Sequence, residues 1–381
     1  MIRKAFYFLL GAAILSCWPL NAQYTSIPDL QFENYLETNG MGDGIANNGL
    51  VLTANIENVT ELVIFAQNIS NLEGIEDFTA LEWLGCSDNP ITHVDLSYNI
   101  NLKKLGFVHS LMTTLDLTSL ENLTDLHLNL NLNLTTVTLG HKPELSIIEA
   151  FENGLTFIDL SQCPDLITLR IQNNNLTHLD ISHNQNLFEL WYGVNPLQEL
   201  DTSNNPALGV LNGGYTNIIH FDFSQNPNLY FFTESYNNAL TYIDVRNGNN
   251  ESMELFNANY LNDNLKCVYV DDTSAPYLEE WTINPGAQFV HNEQECEALN
   301  TDEVSDKEIR IYPNPVTEKL VIEMSDMKFT KVTLVNAVGE IVFAQEINSG
   351  KAEIDMSNFP KGVYFLITNG KNIKAEKIIK R

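Results

Sequence analysis

Apolar residues recur along this chain in a short fixed phrase. One unit reads Leu81-x-x-Leu84-x-Cys86-x-x-Asn89-x-Ile91-x-x-Val94-Asp95-Leu96-x-x-Asn99. Its first residue returns at Leu102, Leu123, Leu145, Leu166, Leu187, Leu208 and Leu229, in steps of 21 or 22 residues. Val59 opens a degenerate unit before this series and Met253 one after it. A second phrase, apolar-Asp-apolar, keeps the same register at Asp95, Asp116, Asp159, Asp180, Asp201, Asp222 and Asp244, with Thr138 in the exceptional slot. Chance does not hold a register over nine or ten units.

Within a unit, apolar and polar positions alternate over two short runs. Each run predicts a brief strand with one inward face. Helical periodicity is absent from the units, so the second run and the outer side are expected to be extended. Between the runs sits Asn89, and the same slot holds Asn131, Asn153, Asn174, Asn195 and Asn237, with Ser110 and Thr216 as polar substitutes. A side-chain amide can satisfy backbone groups where a chain turns inside a core. A second slot holds Asn99, Asn184, Asn205 and Asn226. One unit cannot bury its apolar edge alone, whereas stacked units bury a continuous core. At a strand spacing of about 4.8 Å, nine units form a slab roughly 43 Å long.

The segments at either end read differently. Ile27-Pro28-Asp29 predicts the start of a helix with Phe32, Tyr35 and Leu36 on one face, broken by Gly40, Gly42 and Gly44. Cys267 and Cys296 bracket an aromatic-rich stretch with Tyr269, Tyr277, Trp281 and Phe289, and a disulfide is expected to close it. Cys86 and Cys163 lie in units three apart, roughly 14 Å by strand spacing, beyond the ~7 Å reach of a bridge. They are expected to be free thiols, with Cys86 in a core slot. From Ile309 onward short alternating runs at Lys319 to Met324, Lys331 to Val335 and Gly362 to Thr368 predict a small β-sandwich.

The chain opens with Arg3, Lys4 and an apolar run from Ala5 to Leu15, the layout of a secretory signal peptide. Leu20-Asn21-Ala22 supplies a cleavage site after Ala22, and Ile14-Leu15-Ser16-Cys17 a competing lipoprotein box. No later stretch is long and apolar enough for a transmembrane segment. Charge is uneven: the residues from Ile309 on hold 11 basic and 8 acidic groups, whereas the middle of the chain holds 7 basic and 41 acidic. That middle repels nucleic acid and anionic membranes. The domains expected are 1–22 signal peptide, 23–58 N-terminal cap, 59–264 solenoid, 265–300 C-terminal cap, 301–308 linker and 309–381 sandwich.

The phrase Leu-x-x-Leu-x-Leu-x-x-Asn resembles the leucine-rich-repeat signature. Its nested 21-residue form is similar to bacterial surface leucine-rich-repeat proteins, with internalins as more distant relatives. The resemblance implies a mainly β fold: a leucine-rich-repeat solenoid with caps, followed by the small sandwich. Tyr312-Pro313-Asn314-Pro315, then Gly362-Val363-Tyr364-Phe365-Leu366, then Lys374 and Lys377 resemble the type A sorting domain of the type IX secretion system. That resemblance implies handling by the type IX machinery and a secreted or outer-cell-surface location.

In this family the outward positions of the first strand are the usual binding face. They fall third, fifth, seventh and eighth in each unit. They carry Phe151, Arg170, Trp191 and Phe231, which form a candidate patch, and the row ends in Tyr215, Tyr236 and Tyr260. Trp, Tyr and Arg dominate interface energetics, so a protein or glycan ligand is expected there. The two halves of the unit are pseudo-symmetric, which leaves the opposite face open. That face carries the Asp ladder. A self-associating or calcium-holding scaffold, with calcium between Asp159, Asp180, Asp201 and Asp222, is the alternative. His93, His178 and His220 precede rungs and could each pair with an Asp. No nucleophile elbow, zinc-protease motif, P-loop or dinucleotide fingerprint is present, so no catalysis and no cofactor is expected.

Overall fold

The computed structural model describes residues 23–301, 309–324, 331–336, 340–346, 351–368 and 374–381. The leader and its cleavage site after Ala22, the lipoprotein alternative at Cys17 and the linker from residue 302 on lie outside them. The chain separates into two compact units, one reaching to Asn292 and one running from Glu293 to Arg381.

In the first unit the leading run of each repeat forms a strand of a few residues. Eleven such strands line up in parallel from Glu61–Val63 to Thr282–Ile283. Neighbours pair without slippage, so equivalent positions stand in straight rows: Trp83 beside Lys104, Thr168 beside Glu189, Arg170 beside Trp191. The first, fourth and sixth residues of the unit point inward. Leu81, Leu84 and Cys86 are fully buried, as are Leu166, Leu169 and Ile171.

The second run departs from the expectation. It is a regular strand only in Thr114–Asp116, Thr136–Thr138, His220–Asp222, Tyr242–Asp244, Cys267–Tyr269 and Gln288–Val290. Elsewhere it forms no paired strand.

The asparagine slot does what its chemistry permits. Asn89 Nδ2 donates to the carbonyls of Ile64 and Ser87, and its Oδ1 accepts the N–H groups of Gln67 and Ile69. Asn174 and Asn195 repeat the arrangement four and five units further on. In the second slot the amides of Asn184, Asn205 and Asn226 donate to carbonyls of the preceding unit. Lys142 and Cys163 stand in this same row. The fully buried Lys142 ammonium replaces an amide by donating to the carbonyl of Leu117 at 2.9 Å, and burial pulls its pKa below the usual lysine value.

The residue before the first slot, eighth in the unit, has a left-handed backbone in rung after rung. Asp88, His109, Leu130, Glu152, Asn173, Val194, Tyr215 and Tyr236 all have φ between 54° and 63°. None is glycine, although this region is disfavoured for side chains with a Cβ. Cross-rung hydrogen bonds hold it there: the N–H groups of Val194, Tyr215 and Tyr236 donate to the carbonyls of Gly214, Ser235 and Tyr260.

The N-terminal helix spans Leu30–Thr38, with Asp29 accepting from the N–H groups of Gln31 and Phe32 as its cap. Phe32 and Leu36 seal the first core rungs. Cys267 and Cys296 are disulfide-bonded, and Cys86 and Cys163 are free and buried. The second unit holds two antiparallel sheets, one of three strands and one of four, closing over Leu320, Ile322, Leu334, Ile354, Tyr364 and Leu366.

Asn195→Ala removes one accepted bond and the bonds that Nδ2 donates to three carbonyls of a buried turn. It is expected to cost about 3 kcal/mol. Asn204→Ala, on an exposed residue, is expected to cost no more than about 0.5 kcal/mol. Urea denaturation of both variants checks the contrast, and equal costs would show that the turn does not depend on the amide.

Candidate functional site

The outward face of the long sheet is built from the third and fifth positions, and its middle is a connected charge network. Arg170 lies between two glutamates: Nη1 donates to Glu149 Oε1 at 2.8 Å and Nε to Glu189 Oε1 at 2.9 Å. His127 Nδ1 lies 2.9 Å from Glu149 Oε2. Arg170 also covers the Trp191 ring, with its guanidinium carbon 5.1 Å from the ring centre. The structure therefore places Arg170 and Trp191 together, on paired strands, and Arg170 arrives already neutralised. Burial disfavours the Glu149 anion, but bonds from His127 and Asn129 and the Arg170 charge outweigh it and hold the carboxyl below its usual range. Phe231 is two strands away, at the opposite end of its strand. Phe151 lies just past the strand Ile147–Glu149, where its N–H bonds the Asn129 side chain.

The eighth-position row ends in stacked rings. Tyr215 and Tyr236 are nearly parallel at 4.1 Å, and Tyr236 meets Tyr260 at 4.8 Å. Tyr215 is 54% exposed and Tyr260 56%. Tyr260 does not itself carry the left-handed turn; in its longer unit Leu261 does.

Sequence reasoning missed the second position. Phe188 and Tyr230 face each other at 6.1 Å across Gly209. A Cβ on Gly209 would lie 2.5 Å from the Phe188 ring, so only glycine admits this pair. Strict alternation assigns the second position to the turn before the strand. A glycine between aromatic residues at one-repeat spacing is the signal that could have shown it.

Behind this face lies a buried carboxyl. Glu234 is fully enclosed. It accepts from Tyr192 Oη at 2.5 Å, Thr216 Oγ1 at 3.1 Å and Asn237 Nδ2 at 3.2 Å. Burial pushes its pKa up to about 7, against the lowering effect of those three bonds.

The Asp ladder is exposed, as expected, and committed to its own backbone. Asp95, Asp159, Asp180, Asp201 and Asp222 each accept the N–H of the serine two residues on, at 2.9 to 3.0 Å. Hydrogen bonds from those serines hold Asp95, Asp159, Asp180 and Asp201 below the ordinary range. Among the described residues no group of three His, Cys, Asp or Glu side chains is placed to hold a metal ion. Among the described residues none of the three expected His–Asp pairs forms: His93 Nδ1 lies 3.4 Å from Thr92 Oγ1, His178 lies 3.9 Å from Glu199, and His220 stacks on Tyr242.

In the second unit the motif Tyr312 to Pro315 caps a sheet edge. Asn314 Nδ2 donates to the carbonyl of Lys377, and Asn314 Oδ1 accepts the N–H of Ile379. One amide thus imitates a neighbouring strand along Lys374–Lys380. Pro313 and Pro315 flank it with cis peptide bonds. Gly362 opens the adjacent strand, and Tyr364 is buried with its hydroxyl on the carbonyl of Pro360.

Because the Glu149 pKa is lowered, its contribution is present above the unfolded carboxyl range and is lost as pH falls through the folded value. Glu149→Gln is expected to be about 1 kcal/mol less stable than the parent at neutral pH. The gap should close on acidification below the usual value of 4.5. Urea melts across that range check it, and a gap independent of pH would show that the Glu149 charge plays no part.

Residues 310–381 match the family described as secretion system C-terminal sorting domain. A curated relative, ulvan lyase NLR42 of Nonlabens ulvanivorans, is 28% identical over 82 residues; the match spans 21% of this chain and 15% of that protein's length. Among solved structures, the functional domain of InlJ from Listeria monocytogenes aligns over 94% of this chain and 99% of its own, at 17% identity and a TM-score of 0.35. Internalin C2 from the same species aligns over 65% of this chain and 98% of its own, at 21% identity and a TM-score of 0.41. Among the described residues no helix is long and apolar enough to cross a membrane. Residues 310–381 are a type IX sorting domain, and the chain that carries it is a secreted or cell-surface protein built on a solenoid of 21-residue leucine-rich coils.

Proposed function

We propose that this protein is a non-catalytic recognition protein of the cell surface, which binds a protein or glycan partner through the outward face of its long sheet. The observation that carries the reading is the pairing of Arg170 with Trp191 inside a neutralised network. A guanidinium held by two carboxylates and an indole loses little freedom on binding, which is the main cost an interface must overcome. The aromatic rims made by Phe188 with Tyr230 and by Tyr215 with Tyr236 supply rigid apolar area beside it. Calcium held on the opposite face is less well supported, since the Asp ladder carboxylates already serve their own turns.

A glycan array and a panel of purified surface proteins, probed with the full chain, test this. The triple variant Arg170→Ala, Trp191→Ala, Phe231→Ala is expected to lose about a hundredfold or more in affinity while still unfolding cooperatively, at a somewhat lower temperature than the parent because the Arg170 bonds are gone. Full binding by the variant would move the site elsewhere, and no binding by the parent would end the recognition reading.

A further inference from the structure

We propose that Glu234 is a proton-operated latch behind the tyrosine end of the sheet face, closed while its carboxyl is neutral and released when it ionises. Glu234 occupies the sixth position of its unit, a slot filled elsewhere by core residues such as Cys86, Phe107, Leu128 and Ile171. It is the one carboxyl in that row. Tyr192 reaches it from two units away because Gly213 lies between them. A Cβ on Gly213 would stand 2.2 Å from the Tyr192 hydroxyl and 2.4 Å from Glu234 Oε2.

The three partners of this carboxyl stand in a particular relation to the surface. Tyr192 follows Trp191, Thr216 follows Tyr215, and Asn237 follows Tyr236. In each pair the first side chain is at least partly exposed and the second is buried. The polar cluster and the aromatic face are therefore two sides of the same three segments. Opening the cluster to water must shift the segments that carry Trp191, Tyr215 and Tyr236.

The groups packed on the carboxyl are uncharged. Tyr192 is the titratable one, with its own pKa raised well above the usual value. Thr216 and Asn237 are neutral, and Asn262 donates to the Glu234 backbone carbonyl at 2.9 Å. Among the described residues no cation offsets the burial, which agrees with the upward shift to about 7 from 4.5. The sign follows from proton linkage. The closed form keeps a proton that a water-exposed carboxyl would release, so rising pH favours opening until the closed form also ionises. Between about pH 5.5 and about pH 7.5 the open population should rise about twentyfold.

Hydrogen exchange of the full chain, read by mass spectrometry and corrected for the intrinsic pH dependence, measures this directly. Amides in 191–194, 213–216 and 234–237 are expected to show about a twentyfold excess at the higher pH, with no excess in the rungs from Leu81 to Phe151. Glu234→Gln should abolish it. Thr216→Val, which removes one bond to the carboxylate, should move the transition to higher pH. No excess in the parent, an equal excess in every rung, or an excess that survives Glu234→Gln would each overturn the latch. If Glu234→Gln does not fold, the parent and Thr216→Val still decide. A role in regulating binding rests on the recognition function above. The exchange measurement uses no partner, so either reading can fail while the other stands.

Discussion

Every repeat reverses direction inside its own core, and a reversing backbone exposes N–H and C=O groups that no water can reach. The solenoid depends on answering that demand once per unit. The Asn89-type amide answers it by donating to carbonyls and accepting N–H groups at the same turn. Because one bond goes to its own unit and another to the unit before, it sets the stacking register as well as the turn. The straight rows of outward side chains inherit their alignment from it. Lys142 shows that a donor other than asparagine can fill the second slot, and buried Cys163 that the slot can also hold a side chain without such a bond.

This explains what could be read from the sequence. The slots are local and periodic, so the solenoid, the Asp29-capped helix, the buried free thiols and the sorting motif are all legible as phrases. The Cys267–Cys296 bridge joins two residues outside the phrase and was legible from their bracketing of the aromatic stretch. What escaped is contact between rungs at outward or exceptional positions. Phe188 meets Tyr230 because Gly209 lacks a side chain, and Tyr192 meets Glu234 because Gly213 does. Such contacts span two repeats and depend on an absence between them, so no single phrase records them. The candidate patch was legible in composition but only partly in geometry. Arg170 and Trp191 touch, while Phe151 and Phe231 stand apart from them. Nor could a pattern of letters show that Arg170 is already engaged by Glu149 and Glu189.

The sorting unit solves a related problem with the same functional group. An open sheet edge invites pairing with other chains. In this sandwich Asn314 sits against one edge strand and satisfies both a carbonyl and an N–H. A side-chain amide replaces a strand there, much as it replaces water in the solenoid turns. The Tyr-Pro-Asn-Pro motif is thus intelligible as structure before any role in recognition is assigned to it.

The left-handed residue of each turn has a wider consequence. Most proteins place glycine in that conformation and so give up a side chain. Here the cross-rung bonds impose the conformation, and Asp, His, Leu, Glu, Asn, Val and Tyr all occupy it. Each occupant costs about 1 kcal/mol or more in strain, a cost spread evenly along the stack. In return the solenoid holds a row of evenly spaced, outward positions whose identity the fold does not dictate. Such a row works like movable type. Its characters can be exchanged one at a time, altering what the surface presents to its surroundings while the frame that prints them stays the same.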